Sequence, residues 1–498
     1  MQYRSTRDSN TQVTSAMAIK TGLAPDGGLF LPETVPQVSL PEIEALCGMT
    51  YNERAVDILS RFLTDFTQEE ITTCVNRAYS REKFETEEIA PIFKLNQNTY
   101  FLELWHGPTC AFKDMALQIL PHLLLKSIHK TGETKEVVIL VATSGDTGKA
   151  ALEGFKDVAG TRIIVFYPAD GVSDIQKRQM VTQDGNNVDV AAVCGNFDDA
   201  QNGVKQIFTD KDYNEMLAQN GFMLSSANSI NWGRLVPQVV YYFSAYANLL
   251  KNNEVKLGDK INFVVPTGNF GNILAAYYAK EMGLPVNRLI CASNENNVLT
   301  DFIKTGVYDK NRSFKTTVSP SMDILISSNL ERLLSLATNG DDGQVKAWME
   351  NLKSTGKYEV SAGVKQKILE TFWGGFCDDD DTLDEINRVF RETSYVMDTH
   401  TAVAKRVLNQ YAAETGDATK TVICSTASPF KFSDSVLTAI KGAPETGDAF
   451  TQLAELAETA QASIPKSLAE LKTKPVIFRT TCEKDEMVDV VSQMLNLA

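Results

Sequence analysis

Lys113 lies in the stretch Trp105-His-Gly-Pro-Thr-Cys-Ala-Phe-Lys113-Asp-Met-Ala-Leu-Gln118, at the head of a long apolar run. Gly107 and Pro108 break the chain there. Thr109 is placed to cap the next helix, since a hydroxyl accepts from the free amides of a helix start. Met115, Ala116, Leu117, Ile119, Leu120, Leu123, Leu124 and Leu125 then leave almost no polar face, the pattern of a buried helix. At the start of such a helix, both the positive helix end and the loss of water oppose an ammonium charge. A lysine so placed is a nucleophile for a carbonyl. With equal weight it reads as a lysine whose stem lies along the apolar helix end and whose head reaches water.

Three further stretches suit anions. Thr267-Gly-Asn-Phe-Gly-Asn272 lies between an apolar strand and a helix, and its amides with the helix end make a phosphate cradle. It lacks the GxGxxG spacing and the acidic residue of a dinucleotide site, and alone it reads equally as a tight turn. Thr143-Ser144-Gly145-Asp146-Thr147-Gly-Lys149 resembles a P-loop but has Thr143 where glycine is required and Ala150 where Ser or Thr is required. It remains a loop of hydroxyls and amides at a helix start, fit for a carboxylate or phosphate. Ser425-Thr426-Ala-Ser-Pro429 ends another strand. In open α/β sheets ligands bind at the carboxyl ends of strands, so the three loops are expected to face one cleft.

Around these loops the chain alternates between strand and helix. A turn at Pro25-Asp-Gly-Gly precedes a short strand ending at Pro32, and Ile43, Leu46, Ala55, Ile58, Leu59 and Phe62 give helical spacing over about 40–81. Strands are expected at 100–104, 137–142, 162–168 and 188–193, with helices after the last three. That rhythm predicts a parallel sheet with crossover helices. A long amphipathic helix is expected from about 234 to 250. Next comes a second α/β series, with strands at 260–265, 288–293, 421–426 and 475–480. The region 320–412 reads as helical, with the acidic run 378–381 as a solvated loop, and 449–462 as an Ala/Glu-rich helix.

The composition excludes several classes. With 48 Lys and Arg against 63 Asp and Glu, the net charge is −15, which argues against a general nucleic-acid binder. An anionic ligand must then be met by a local basic pocket. A chain of 498 residues, 43% apolar and 22% charged, is ordinary soluble material and long enough for two or three domains. No apolar run is long enough to span a bilayer, and the opening residues are too polar for a secretory signal. The eight cysteines show no CxxC and the four histidines no HxxxH. This predicts reduced thiols, no metal site and a cytoplasmic location. Cys110, near Lys113, reads as a packing residue.

The Ala-Phe-Lys113-Asp stretch, the Thr-Ser-Gly-Asp-Thr-Gly loop and the Gly-Asn-Phe-Gly-Asn loop together resemble pyridoxal-phosphate enzymes of the tryptophan-synthase-β fold type. Gly22-Leu-Ala-Pro-Asp-Gly-Gly-Leu-Phe30, His106-Gly-Pro-Thr109 and Asp398-Thr-His-Thr-Ala402 narrow the resemblance to the threonine synthases of the long bacterial and fungal type, over about residues 3–440. The resemblance implies an α/β fold of two parallel-sheet, three-layer domains plus a small, mainly helical N-terminal domain. The expected division is 1–90, then a large cofactor domain of 91–129 and 233–498, and a small mobile domain of 130–232.

It also implies roles. Lys113 would carry pyridoxal 5'-phosphate and shuttle protons. Gly268, Asn269, Phe270, Gly271 and Asn272 would hold the cofactor phosphate, and Thr426 would meet the pyridine nitrogen. Thr143, Ser144, Gly145, Asp146 and Thr147 would bind the substrate carboxylate and lie against the ring hydroxyl. Lys149 and Arg234 lead the candidates for the substrate phosphate, ahead of Lys177 and Arg178. The implied reaction turns O-phospho-L-homoserine and water into L-threonine and phosphate, in a monomer or homodimer without nucleic-acid or membrane partners. The alternatives are a phospholyase or a serine/threonine dehydratase on the same fold, or a non-catalytic binding protein.

Overall fold

The computed structural model describes residues 1–143, 145–169, 172–443 and 447–497. Two parallel sheets organise the chain. The larger runs Phe372–Phe376, Val286–Ser293, Ile261–Pro266, Thr421–Ser425, Thr99–Glu103 and Ile92–Lys94, with only the last strand antiparallel. The smaller runs Thr480–Glu483, Val188–Cys194, Thr161–Pro168, Glu136–Ala142 and Phe222–Ser225, all parallel. Val137 through Val141 and Ile261, Phe263, Val264 and Val265 are all inaccessible to solvent. Continuous apolar strands of this kind need cover on both faces, which the crossover helices supply.

The helix Trp232–Lys251 is buried along nearly its whole length. It packs against the helices Tyr51–Phe62 and Gly271–Glu281. The N-terminal segment holds a three-stranded antiparallel sheet of Gln12–Val13, Tyr3–Ser5 and Phe30–Pro32, followed by helices. Its core is continuous with that of the larger sheet. The rings of Tyr3 and Phe62 meet Trp232 edge to face at 5.4 and 5.6 Å. Capping boxes at Thr50 with Glu53 and Thr67 with Glu70 start two of its helices.

Several expectations are corrected. The apolar run after Lys113 forms two helices, Asp114–Leu117 and Leu120–Lys130, with Pro121 in the first turn of the second. The 320–412 stretch is not helical throughout, because Phe372–Phe376 is the edge strand of the larger sheet. Its helical spacing yields to pairing with Val286–Ser293, since Gly374 and Gly375 favour neither state locally. The acidic run 378–381 is no loop. Asp378 accepts from the Asp381 amide as N-cap of the helix Asp379–Thr393, where negative charge complements the helix end. The last strand is Thr480–Glu483, and it pairs with the smaller sheet, where the sequence assigned 233–498 to the larger unit. Among the described residues no helix is long and apolar enough to cross a membrane.

Candidate active site

Lys113 precedes the short helix Asp114–Leu117. Its loop is sewn to the end of strand Thr421–Ser425. Ala111 bridges Ala427, the Phe112 amide donates to the Thr426 carbonyl at 2.8 Å, and the Ser428 amide donates to the Cys110 carbonyl at 3.0 Å. Thr109 does not cap the helix. Its amide and hydroxyl instead donate to the buried Asp114 carboxylate, each at 2.8 Å. Burial pushes the Asp114 carboxyl up to about 6 against those two bonds. Gly107 is required beside it, because a Cβ there would lie 2.6 Å from Asp114 Oδ2.

The Lys113 ammonium donates to Ser321 Oγ at 3.2 Å and lies 3.5 Å from Asp146 Oδ2. Burial lowers its pKa below the usual lysine value, the charges of Lys431 and Arg234 act in the same direction, and Asp146 opposes them. Asp146 opens the helix Asp146–Phe155. Its Oδ1 is 2.6 Å from Lys431 Nζ and accepts from Gln176 Nε2 at 2.9 Å. Burial alone would raise the Asp146 carboxyl, but Lys431 and Lys113 overcome it and hold it far below the ordinary range. Gly145, at φ 142°, lets the turn approach Gln176, where a Cβ would meet the side chain at 2.5 Å. Thr143 Oγ1 accepts from the amides of Gly145 and Gly148, both at 2.9 Å, and so shapes the turn. Thr147 is half-buried on the first turn of the helix, and Ser144 lies outside the described residues.

Ser321, on the turn Pro320–Met322, and Lys431, on the turn Pro429–Phe432, were not singled out from sequence. Ser321 sits in a predominantly helical pattern and carries no signal. Lys431 lies two residues past the Ser425–Pro429 loop, so extending that loop by one turn would have included it. The Ser321 amide donates to His400 Nε2 at 3.2 Å, so His400 Nδ1 is the nitrogen that donates to Asp398 Oδ2, at 2.7 Å. The Ser321 turn is held from below by Asp323, whose carboxylate accepts from Thr317, Asn294 and Asn296.

The glycine turn leaves several polar groups uncommitted. Phe270 is left-handed at φ 63°, and the helix Gly271–Glu281 begins without a side-chain cap. Asn269 and Gly268 turn their carbonyls away, onto Asn329 and Ser327. Asn272 Oδ1 accepts from Tyr241 and Tyr242, while its buried Nδ2 has no partner. A Cβ at Gly268 would lie 2.7 Å from the Ser321 carbonyl, so this turn packs directly beneath Ser321. Open amides, an orphan donor and a close backbone approach fit a phosphate monoester. Thr426 is buried on the loop that borders Lys113.

The four basic candidates separate. Arg234 is 5% exposed. It donates from one terminal nitrogen to the Ala227 carbonyl at 2.7 Å, and its Nε has no partner among the described residues. Burial pulls its pKa down to about 10, and among the described residues no carboxylate pairs with it. Lys149 is engaged, at 2.9 Å from Glu153 and in contact with Gln183. Arg178 donates to the carbonyls of Leu471 and Lys474, and Lys177 is exposed.

Three family models match the chain in succession: threonine synthase N terminus over 2–79, pyridoxal-phosphate dependent enzyme over 85–363, and threonine synthase C-terminal over 401–480. A human protein, threonine synthase-like 1, is 42% identical over 85% of this chain, which spans 58% of that protein's length. Threonine synthase of Saccharomyces cerevisiae is 36% identical, covering 88% of this chain and 89% of its own. The solved structure of pyridoxal-phosphate-bound threonine synthase from Brucella melitensis superposes with a TM-score of 0.88 at 36% identity, covering 99% of both chains.

Proposed function

The chain belongs to the threonine synthase family of pyridoxal-phosphate-dependent enzymes, and on that premise we propose that it converts O-phospho-L-homoserine and water to L-threonine and phosphate. The observation that carries the substrate reading is Arg234, a buried guanidinium with an orphan Nε and no paired carboxylate among the described residues, close enough to Lys113 to depress it. A buried cation without a counter-charge is costly unless a ligand supplies one. The net charge of −15 gives no help in drawing in a dianion, so this local pocket must.

In this reading the residues divide the work. The amides of Gly268 to Asn272 hold the cofactor phosphate, Lys113 Nζ is the attachment point, and Thr426 meets the pyridine nitrogen as a neutral partner. When bound, the cofactor supplies an electron sink for charge developing at the substrate α-carbon. Lys113, once released, takes and returns protons at Cα and Cβ. Thr143, Gly145, Asp146 and Thr147 border the substrate carboxylate. Arg234 holds the phosphate that leaves Cγ, and water adds at Cβ. Lys149, already paired with Glu153, serves the helix rather than the leaving group.

The domain reading belongs to the same proposal, with the tail reassigned. Residues 130–232 and 480–497 form the unit that closes on the rest, bringing Asp146 and Gln176 to Lys113, Ser321 and Lys431. The same proposal places the enzyme in the cytoplasm, where thiols stay reduced. The test is phosphate release from O-phosphohomoserine with identification of the amino acid formed. Threonine supports the reading. Release of a keto acid, or equal turnover of unphosphorylated serine or threonine, replaces it with a lyase or dehydratase.

A further inference from the structure

We propose that Lys431 is the resident counter-ion of Asp146 and so a positioning residue for Lys113, which it leaves as the uncommitted amine of the site. This rests on Lys113 being the cofactor's attachment point.

Among the described residues the site holds two ammonium groups and one carboxylate facing them. Lys431 Nζ is 2.6 Å from Asp146 Oδ1 and also donates to the Thr109 carbonyl at 3.0 Å, and its side chain is wholly inaccessible. Lys113 Nζ stands at 3.5 Å from the other oxygen, and its nearer partner is a neutral hydroxyl, Ser321 Oγ. Buried charge persists where it is paired and hydrogen-bonded. One carboxylate can serve one ammonium fully, and the geometry gives it to Lys431.

Other groups around Lys113 do not alter that count. Arg234, on Trp232–Lys251, adds like charge. Ser321 and, behind it, His400 present a hydroxyl and a ring nitrogen already engaged by an amide. Asp114, next in the chain, turns its carboxylate onto Thr109. Gln176 holds the Asp146 oxygen that faces Lys431. The two lysine loops are also one piece, joined through Ala111 with Ala427 and Cys110 with Ser428. The backbones that carry the two lysines are therefore held together.

The test reads Lys113 directly. The full-length chain, freed of cofactor, is labelled with trace acetic anhydride across a pH series, and acetylation at Lys113 is quantified by peptide mass spectrometry. In Lys431→Met, Asp146 falls to Lys113, and the labelling midpoint should rise by about one pH unit or more. Lys431→Arg should keep the midpoint near that of the unaltered chain, and Asp146→Asn with Lys431→Met should cancel the rise. An unchanged midpoint in folded Lys431→Met overturns the proposal. Should that variant not fold, Lys431→Gln, which removes the charge but keeps a polar side chain, is read in the same way: a raised midpoint supports the proposal and an unchanged one overturns it. Borohydride trapping of the cofactor on a different lysine would instead overturn the reading of Lys113, whatever the labelling shows.

Discussion

Nζ of Lys113 lies 3.2 Å from Oγ of Ser321, across 208 positions of sequence. The hydroxyl belongs to a turn that also carries the carbonyl packed on Gly268 and the amide held by His400. The amine, the phosphate turn and the Asp398–His400 pair therefore share one rigid support. A displacement of that turn should disturb attachment and phosphate binding together.

Borohydride reduction of the cofactor-loaded protein, followed by peptide mapping, should place the pyridoxyl group on Lys113. Lys113→Ala should lower kcat by a factor of about 1000 or more, since one group both attaches the cofactor and moves the protons. A label on any other lysine would sink the assignment.

The two glycines of the phosphate turn should fail differently. Gly268→Ala places a Cβ 2.7 Å from the Ser321 backbone carbonyl, which cannot swing aside. The strain should cost about 1–3 kcal/mol of stability, read as a lower thermal midpoint. At Gly271 a Cβ meets Asn329 Nδ2 at 3.4 Å, an ordinary contact. Gly271→Asp should fold normally yet release the cofactor, because its carboxylate repels the phosphate. Full cofactor occupancy in that variant, measured by absorbance after dialysis, would move the phosphate site elsewhere.

Arg234→Ala should lose roughly 30- to 1000-fold in kcat/KM on O-phosphohomoserine, the cost of about 2–4 kcal/mol in transition-state stabilisation. Cofactor attachment to Lys113 should survive. Lys149→Ala, whose ammonium is occupied by Glu153, should stay within a factor of about five. A reversed ranking in steady-state assays would return the substrate phosphate to Lys149.

His122 sets an acid limit. Burial, helped by the charges of Lys83 and Arg77, lowers it to about 4. Because the folded value is depressed, the stability it confers is complete above the unfolded value near 6.5 and is lost as pH falls toward the folded value. Over that window the loss should be on the order of 2–3 kcal/mol. In urea denaturation at pH 6.5 and 4.5, His122→Gln should show a smaller drop in midpoint than the unaltered chain. Equal drops would contradict it.

What the sequence made legible was local. Lys113, the 268–272 turn, the 143–147 loop and Thr426 announce themselves through glycines and apolar strands that end where a helix or turn begins. Arg234 was legible as a basic residue at a helix start, and only its environment separates it from Lys149. Ser321, on the turn Pro320–Met322, and Gln176, on the helix Asp174–Val181, reach Lys113 and Asp146 only through the fold, and neither has a neighbour pattern that marks it. Phe372–Phe376 was missed for a related reason, since a short glycine-rich strand exists only through its partner. The Asp398–His400 pair was visible as a motif, but its hold on the Ser321 amide required the fold.

If the smaller sheet closes on the rest as proposed, the tail strand Thr480–Glu483 bears on how far it can travel. The chain enters that sheet before Glu136, leaves it at Trp232, and returns after the turn near Lys474, where Arg178 grips two carbonyls and the amides of Ile477 and Phe478 reach the Val181 carbonyl. Two crossings would allow a simple hinge, whereas a third, anchored on the opposite border, would act as a tether on any such rotation. The same strand covers the backbone of Val188–Cys194. A chain ending before Thr480 would gain a wider swing and, at the same stroke, an uncovered β-edge open to pairing with another copy.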